Sequence, residues 1–137
     1  LAAYACTECG RCTDECPANQ TGKLLSPRKI MMDTRRRSQE VAENIRHNKG
    51  TFVPDQKALL GDYITPEELW ACSTCAACVE ACPMEISPLS IIVEMRRYIV
   101  MEQSAAPASL NKMMTQMENT SSPWGYNPAE RETVLNE

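Results

Sequence analysis

One cysteine arrangement is written twice in this chain, and no other feature constrains its fold as tightly. The first copy is Cys6-x-x-Cys9-x-x-Cys12-x-x-x-Cys16-Pro17, and the second is Cys72-x-x-Cys75-x-x-Cys78-x-x-x-Cys82-Pro83. Together the copies use all 8 cysteines of the 137-residue chain. Steps of three residues let one short coiled loop turn three sulfurs into a single cavity. A fourth thiolate followed by proline completes the spacing of a bacterial-type [4Fe–4S] site. The pattern predicts two [4Fe–4S] clusters and a protein that moves electrons one at a time.

An iron–sulfur cube takes four soft thiolates converging from different directions. In two-cluster ferredoxins the fourth cysteine of each run serves the other cluster. Carried over to this chain, cluster 1 takes Cys6, Cys9, Cys12 and Cys82, and cluster 2 takes Cys72, Cys75, Cys78 and Cys16. The competing readings are zinc, which favours separated cysteine pairs, and a disulfide scaffold, which needs an oxidising compartment. One of the two clusters could also be of the [3Fe–4S] type, although both ligand sets are complete.

Apolar residues make up 43% of the chain, but aromatics only 5%, with a single Phe and 8 Met. Flexible methionine replaces rings as core filler, so such a chain is expected to lean on its metal sites for stability. The formal charge of −4 is uneven. Residues 1–57 hold 10 basic against 7 acidic residues, net +3, and residues 58–137 hold 4 against 11, net −7. Thiolate-held clusters add negative charge, which Arg11, Lys23, Arg28 and Lys29 are placed to offset. The basic half is too interleaved with acids to argue for nucleic acid. Apolar runs such as Ile91-Ile92-Val93 are far short of a membrane span. No signal peptide opens the chain, and reduced thiols favour a cytoplasmic setting, with the membrane face reached through partner domains.

Helix signals follow each cysteine run. Ser26 as N-cap and Pro27 at the first position predict a helix from Pro27 to about Ile45, with Ile30, Met31, Thr34, Val41 and Ile45 on one face. Thr65-Pro66-Glu67-Glu68 is a capping box that predicts a short helix from Pro66 to about Ala71. Ser87-Pro88 opens a helix expected to end near Gln103, and a further helix is expected from Ala108 to Asn119, with a short one over Ala129–Leu135. Between them, Phe52-Val53 and Tyr63-Ile64 read as short extended pieces, and Pro54–Leu60 as a helical turn ended by Gly61. The repeat extends beyond the cysteines: Ser26-Pro27-x-x-Ile30-x-x-x-x-Arg35-Arg36 matches Ser87-Pro88-x-x-Ile91-x-x-x-x-Arg96-Arg97. The unit is a cluster loop followed by a helix.

Other residues carry blander readings. His47, the sole histidine, lies in a polar turn and is expected to face solvent. Arg35-Arg36-Arg37 reads as a solvated helix face, or else as a dock for an acidic redox partner. Met113, Met114 and Met117 are expected to pack in the core or against a partner helix, and Trp70 and Trp124 are expected to pack. No phosphate loop, nucleophile elbow or acid–base pair is present, so no substrate-converting site is expected in this chain.

The sequence Trp70-x-Cys72-x-x-Cys75-x-x-Cys78-x-x-x-Cys82-Pro83, the preceding Thr-x-Glu-Glu helix and the long helical insert resemble the α-helical ferredoxin module of the heterodisulfide reductase C/D-like iron–sulfur oxidoreductases. The resemblance covers residues 4–103. It implies an all-α fold with the eight cysteines as ligands, a di-cluster domain over 1–103 and an extension over 104–137. It also implies a place inside a larger, membrane-associated redox protein, partnered by other subunits, a membrane quinone or haem segment, or a flavoprotein. The chain opens at Leu1 rather than Met, and is expected to be a segment of such a protein. Cysteine-rich Cys-Cys-Gly domains that follow the module in relatives are absent from these 137 residues. The leading function is an electron relay between a donor and a quinone, haem, flavin or disulfide site. The alternative is an iron–sulfur protein with a structural or redox-sensing role. The β-α-β ferredoxin fold is the rival architecture, but the 55 residues from 17 to 71 between the runs start with a capped helix rather than strands.

Overall fold

The computed structural model describes residues 1–126. Among these the architecture is all-α, as the capping and spacing signals predict. The elements are α1 (Ala2–Ala5), α2 (Arg11–Asp14), α3 (Pro17–Gln20), α4 (Pro27–His47), α5 (Pro66–Trp70), α6 (Ala77–Glu80), α7 (Pro88–Met101) and α8 (Ala108–Thr120). The chain divides into two compact units, Leu1–Arg97 and the part from Tyr98 onward. The short helix expected over Ala129–Leu135 lies outside the described residues.

The first unit is built as two copies of one plan. α1, α2 and α4 of the first half correspond to α5, α6 and α7 of the second, each set threading one cysteine run between its first and last helix. The one-turn helix α3 has no counterpart, because the segment after Pro83 is five residues shorter than that after Pro17. The equivalent one-turn helices α2 and α6 pack against each other. The two cysteine loops therefore meet at the centre of the unit.

Local signals fix the helix starts. The Ser26 hydroxyl accepts the Lys29 N–H at 3.3 Å, and Pro27 takes the first helical position of α4, where a missing N–H costs nothing. At α5 the capping box is complete, with Thr65 Oγ1 accepting the Glu68 N–H (3.3 Å) and Glu68 Oε2 accepting the Thr65 N–H (2.8 Å). The face of α4 that enters the core is shorter than its periodicity suggests. Ile30 and Met31 are buried, whereas Val41 and Ile45 are only half-buried. Leu25, Pro27, Ile64, Leu69 and Ile92 complete the largest buried side chains of this unit.

The Arg35-Arg36-Arg37 run is not the solvated face that its charge suggests. Only Arg36 is open to solvent, with its side chain 70% exposed. Arg37 is 9% exposed and grips Asp55 through both terminal nitrogens (2.5 and 2.8 Å) while donating to the Lys57 carbonyl at 2.7 Å. Arg35 turns back to the first cysteine loop. The same grip explains why no helical turn forms over Pro54–Leu60. Asp55 and the Lys57 carbonyl are held by Arg37, and the Asn44 side chain bonds both the N–H and the carbonyl of Val53 (2.9 Å each), so α4 side chains replace a helical ladder. The turn falls instead at Leu59–Tyr63, with Gly61 at its centre at φ +100°. Lys29 ties the two halves together by contacting Glu68 Oε1 and the Tyr63 carbonyl, each at 2.8 Å. It also pairs with Asp33 at 2.9 Å, so two carboxylates already share its charge.

In the second unit, α8 ends at Ser121, which takes a left-handed conformation (φ +53°) and returns its N–H to the Met117 carbonyl. Leu110, Met113, Gln116, Pro123 and Trp124 line a shallow groove there. Trp124 is 76% exposed, and Met113, Met114 and Met117 are exposed as well, so these side chains do not pack into a core of this unit.

Candidate metal centre

The two cysteine loops share one backbone design. Residues 8 and 10 of the first run adopt positive φ (+61° at Glu8, +88° at Gly10), and the residues 66 positions later do the same (+58° at Thr74, +63° at Ala76). Two left-handed residues flanking the second cysteine of each run reverse the chain on either side of it. In this way successive thiols at three-residue steps face one centre instead of spiralling around a helix axis.

The loops bring together cysteines from both runs. Cys16, Cys72, Cys75 and Cys78 line a single cavity, closed by Ala18, Leu25, Leu89 and Ile92. On the other side, Cys6 and Cys82 pack together against the buried cluster of Ala3, Met31 and Ile86. Cys6, Cys82 and Cys9 all lie close enough to Cys12 for their charges to act on its thiol. The fourth cysteine of each run thus sits with the first three of the other. Cys12 also acts on Cys78, so the two groups are neighbours.

None of the eight cysteines forms a disulfide. The second cysteine of each run, Cys9 and Cys75, is exposed, and Cys16 and Cys78 are buried. Burial pushes the Cys78 thiol up to about 11, with the nearby Cys72, Cys12 and Cys16 adding to the shift. Burial likewise raises Cys12, with a Thr13 hydrogen bond opposing and Cys6, Cys82 and Cys9 reinforcing. Cys75 moves the other way, lowered by hydrogen bonding from the Ala77 backbone and the Ser73 side chain. At Cys12 and Cys78, burial and the neighbouring sulfurs both oppose the thiolate unless a cation replaces the protons. Among the described residues, no three His, Cys, Asp or Glu side chains gather at a position for a single metal ion. A soft, all-sulfur donor set spread around a cavity suits a polynuclear iron–sulfur group better than one tetrahedral zinc.

Comparison with known proteins reaches the same place independently. Residues 5–86 match the family model described as a 4Fe-4S dicluster domain. The chain belongs to this family. It carries two [4Fe–4S] clusters on an all-α dicluster domain. Among curated relatives, it is 34% identical to the "Probable iron-sulfur-binding oxidoreductase FadF" of Bacillus subtilis, over 100% of this chain and 23% of that protein. It is 33% identical to the "EtfAB:quinone oxidoreductase" of Syntrophomonas wolfei, over 97% of this chain and 21% of that protein. A third relative is one subunit of the "Ferredoxin/F(420)H(2)-dependent CoB-CoM heterodisulfide reductase" of Methanosarcina acetivorans, 34% identical over 78% of this chain and 52% of that polypeptide. The chain therefore spans between about a fifth and a half of the relatives it matches. The first two are named as oxidoreductases and the third as a subunit of a reductase. Among the described residues, no helix is long and apolar enough to cross a membrane.

Several residues around the loops were not legible from motif spacing. Thr13 Oγ1 bonds the Ser26 hydroxyl (2.9 Å) and accepts the Arg28 N–H (3.2 Å), fastening α2 to the start of α4. Arg35 and Arg96, the repeated arginines of α4 and α7, both reach back to the loops. Their shared place in the internal repeat was the one signal that could have found them. His47 ends α4 and is exposed, as expected.

Proposed function

We propose that this chain is the two-cluster electron relay of a larger oxidoreductase, passing single electrons between a donor and a quinone, haem, flavin or disulfide site. When bound, each [4Fe–4S] cluster supplies a one-electron redox couple. The observation that carries this reading is the exchange of fourth cysteines: Cys16 lines one cavity with Cys72, Cys75 and Cys78, and Cys82 lies beside Cys6 and Cys12. That exchange supports Cys6, Cys9, Cys12 and Cys82 as the ligands of cluster 1, and Cys72, Cys75, Cys78 and Cys16 as those of cluster 2. It locks the two loops into one body and keeps the two sites adjacent, as a relay needs.

Cys16 and Cys78 are buried, whereas Cys9 and Cys75 are exposed and give each site an edge open to solvent. Electrons enter and leave past those edges, where a partner's cofactor approaches closest. The functional domain is taken as 1–103, with 104–137 an extension toward the rest of a longer protein. Its partners are other redox subunits or domains, including a quinone- or haem-bearing membrane segment or a flavoprotein, and its setting is the cytoplasm or the cytoplasmic face of the membrane.

Anaerobic purification with iron and sulfide analysis, followed by EPR on stepwise reduction, tests the relay. About eight irons per chain and two interacting reduced clusters are expected. One zinc per chain, or no EPR signal at any accessible potential, sinks the reading.

A further inference from the structure

The arginines that close each repeat make the same unusual contact. From α4, Arg35 donates through Nε to the Ala3 carbonyl (2.8 Å) and through Nη2 to the Cys6 carbonyl (2.6 Å). From α7, Arg96 donates through Nε and Nη2 to the Leu69 carbonyl (3.0 and 2.5 Å) and through Nη2 to the Cys72 carbonyl (2.5 Å). Ala3 and Leu69 are equivalent in the repeat, as are Cys6 and Cys72. Each guanidinium thus clasps the carbonyl of the first cysteine of its run and the carbonyl three residues before it. A planar fork that satisfies two fixed acceptors holds the loop entry in one orientation, which a lysine ammonium cannot do alone.

The two clasps differ in charge. Arg35 also donates through Nη1 to the Glu8 carboxylate at 2.7 Å, within the first cysteine loop. The position equivalent to Glu8 is Thr74, which is neutral and whose N–H instead lies 3.4 Å from Cys72 Sγ. Arg96 lies over the Trp70 ring, 5.0 Å from its centroid, and the ion pairs found among the described residues include none to Arg96.

We propose, on the basis of the two-cluster relay above, that Arg35 and Arg96 are duplicated positioning residues, each orienting the loop entry of a different cluster. We further infer that Glu8 makes the pair electrostatically unequal, neutralising the cation beside cluster 1 and leaving the one beside cluster 2 uncompensated. A nearby cation favours the reduced, more negative cluster, and a nearby carboxylate opposes it. Arg96 therefore raises the potential of cluster 2, whereas Arg35 and Glu8 largely cancel at cluster 1.

Anaerobic, EPR-monitored reductive titration of the cluster-loaded full chain tests this. Arg35→Gln is expected to lower one of the two reduction steps and Arg96→Gln the other. Arg35→Lys and Arg96→Lys, which keep the charge, should return the same step part of the way. Glu8→Gln should raise the step that Arg35→Gln lowers. Both arginine variants moving the same step, moving both steps alike, or losing iron with the remaining potentials unchanged would overturn the assignment. If the arginine variants yield no cluster-loaded protein, Glu8→Gln decides: one step raised with the other fixed supports the inequality, and any other result rejects it. A wild-type chain without two reducible clusters fails the relay itself, which is seen before any variant is made.

Discussion

Gly10 and Ala76 occupy the same left-handed backbone position, 66 residues apart in the two cysteine loops, with φ of +88° and +63°. Glycine adopts that conformation freely, whereas an L-residue with a Cβ meets the following carbonyl at a cost of about 1–2 kcal/mol. At this position the second loop therefore stores strain that the first does not, whereas the equivalent residues Glu8 and Thr74 are left-handed in both loops. That the strain persists shows that the surrounding contacts over-determine the turn, which is the usual condition for strained backbone at a functional loop.

Exchanging the two residues is expected to act in opposite directions. A Cβ at Gly10 would meet only the tips of Arg28 and Asp14, each at 4.0 Å, so Gly10→Ala is penalised by backbone conformation and not by collision. It should destabilise the protein by about 1 kcal/mol, and Ala76→Gly should stabilise it by less, about 0.5 kcal/mol, after the extra unfolded-state entropy of glycine. Anaerobic urea unfolding followed by circular dichroism measures both. A stabilising Gly10→Ala would show that the left-handed turn at that position is not the one described.

The exchange of fourth cysteines predicts which site a single substitution damages. Cys16→Ser should remove or destabilise the cluster held by Cys72, Cys75 and Cys78 while sparing the other. Cys82→Ser should do the reverse to the site of Cys6, Cys9 and Cys12. EPR spectra of the two variants, taken with iron counts, separate the outcomes. Selective loss of the site in the same run as the substituted cysteine is the result that reassigns the ligands.

The cysteine spacing and helix caps made much of this molecule legible in advance, because both are local. Ser26-Pro27, Thr65-Pro66 and Ser87-Pro88 mark helix starts through bonds within three or four residues, and three-residue cysteine steps describe a loop without knowledge of what surrounds it. What stayed hidden depends on distant partners. Arg37 reads as solvated until Asp55, 18 residues away, is found beneath it. Lys29 reads as a counter-charge until Glu68 and the Tyr63 carbonyl claim it. The segment 54–60 reads as a helical turn because its residues permit one, yet side chains of α4 bind the backbone there and just before it.

The capping box at α5 also joins the two halves, so its members should differ in importance. Thr65→Ala removes one N-cap bond and should cost about 1 kcal/mol. Glu68 is 4% exposed and serves the Thr65 N–H, the Thr65 hydroxyl and Lys29 together. Its burial opposes ionisation, but the Lys29 ammonium and the Thr65 backbone and hydroxyl bonds hold its carboxyl below the usual range. Glu68→Ala leaves the Lys29 ammonium without its buried partner and should cost about 2–3 kcal/mol. Thermal unfolding of the two variants should rank them in that order; equal costs would mean that Glu68 acts only as a cap.

The Arg37–Asp55 pair carries a pH signature. The Arg37 guanidinium beside Asp55 holds its carboxyl down at about 2, against an ordinary value of 3.8, with burial opposing and the Lys57 N–H assisting. A carboxyl whose folded-state pKa is depressed binds its proton more readily in the unfolded chain. Its contribution to stability is therefore fully present above about pH 4 and fades as the pH falls toward 2. Asp55→Asn should accordingly lower stability by a constant amount from neutral pH down to about 4, and the gap to wild type should narrow below that. Urea unfolding midpoints of the two cluster-loaded proteins, compared with each other at each pH, trace the difference. A gap that persists unchanged to pH 2 would place the contribution of Asp55 in its shape and hydrogen bonds instead of its charge.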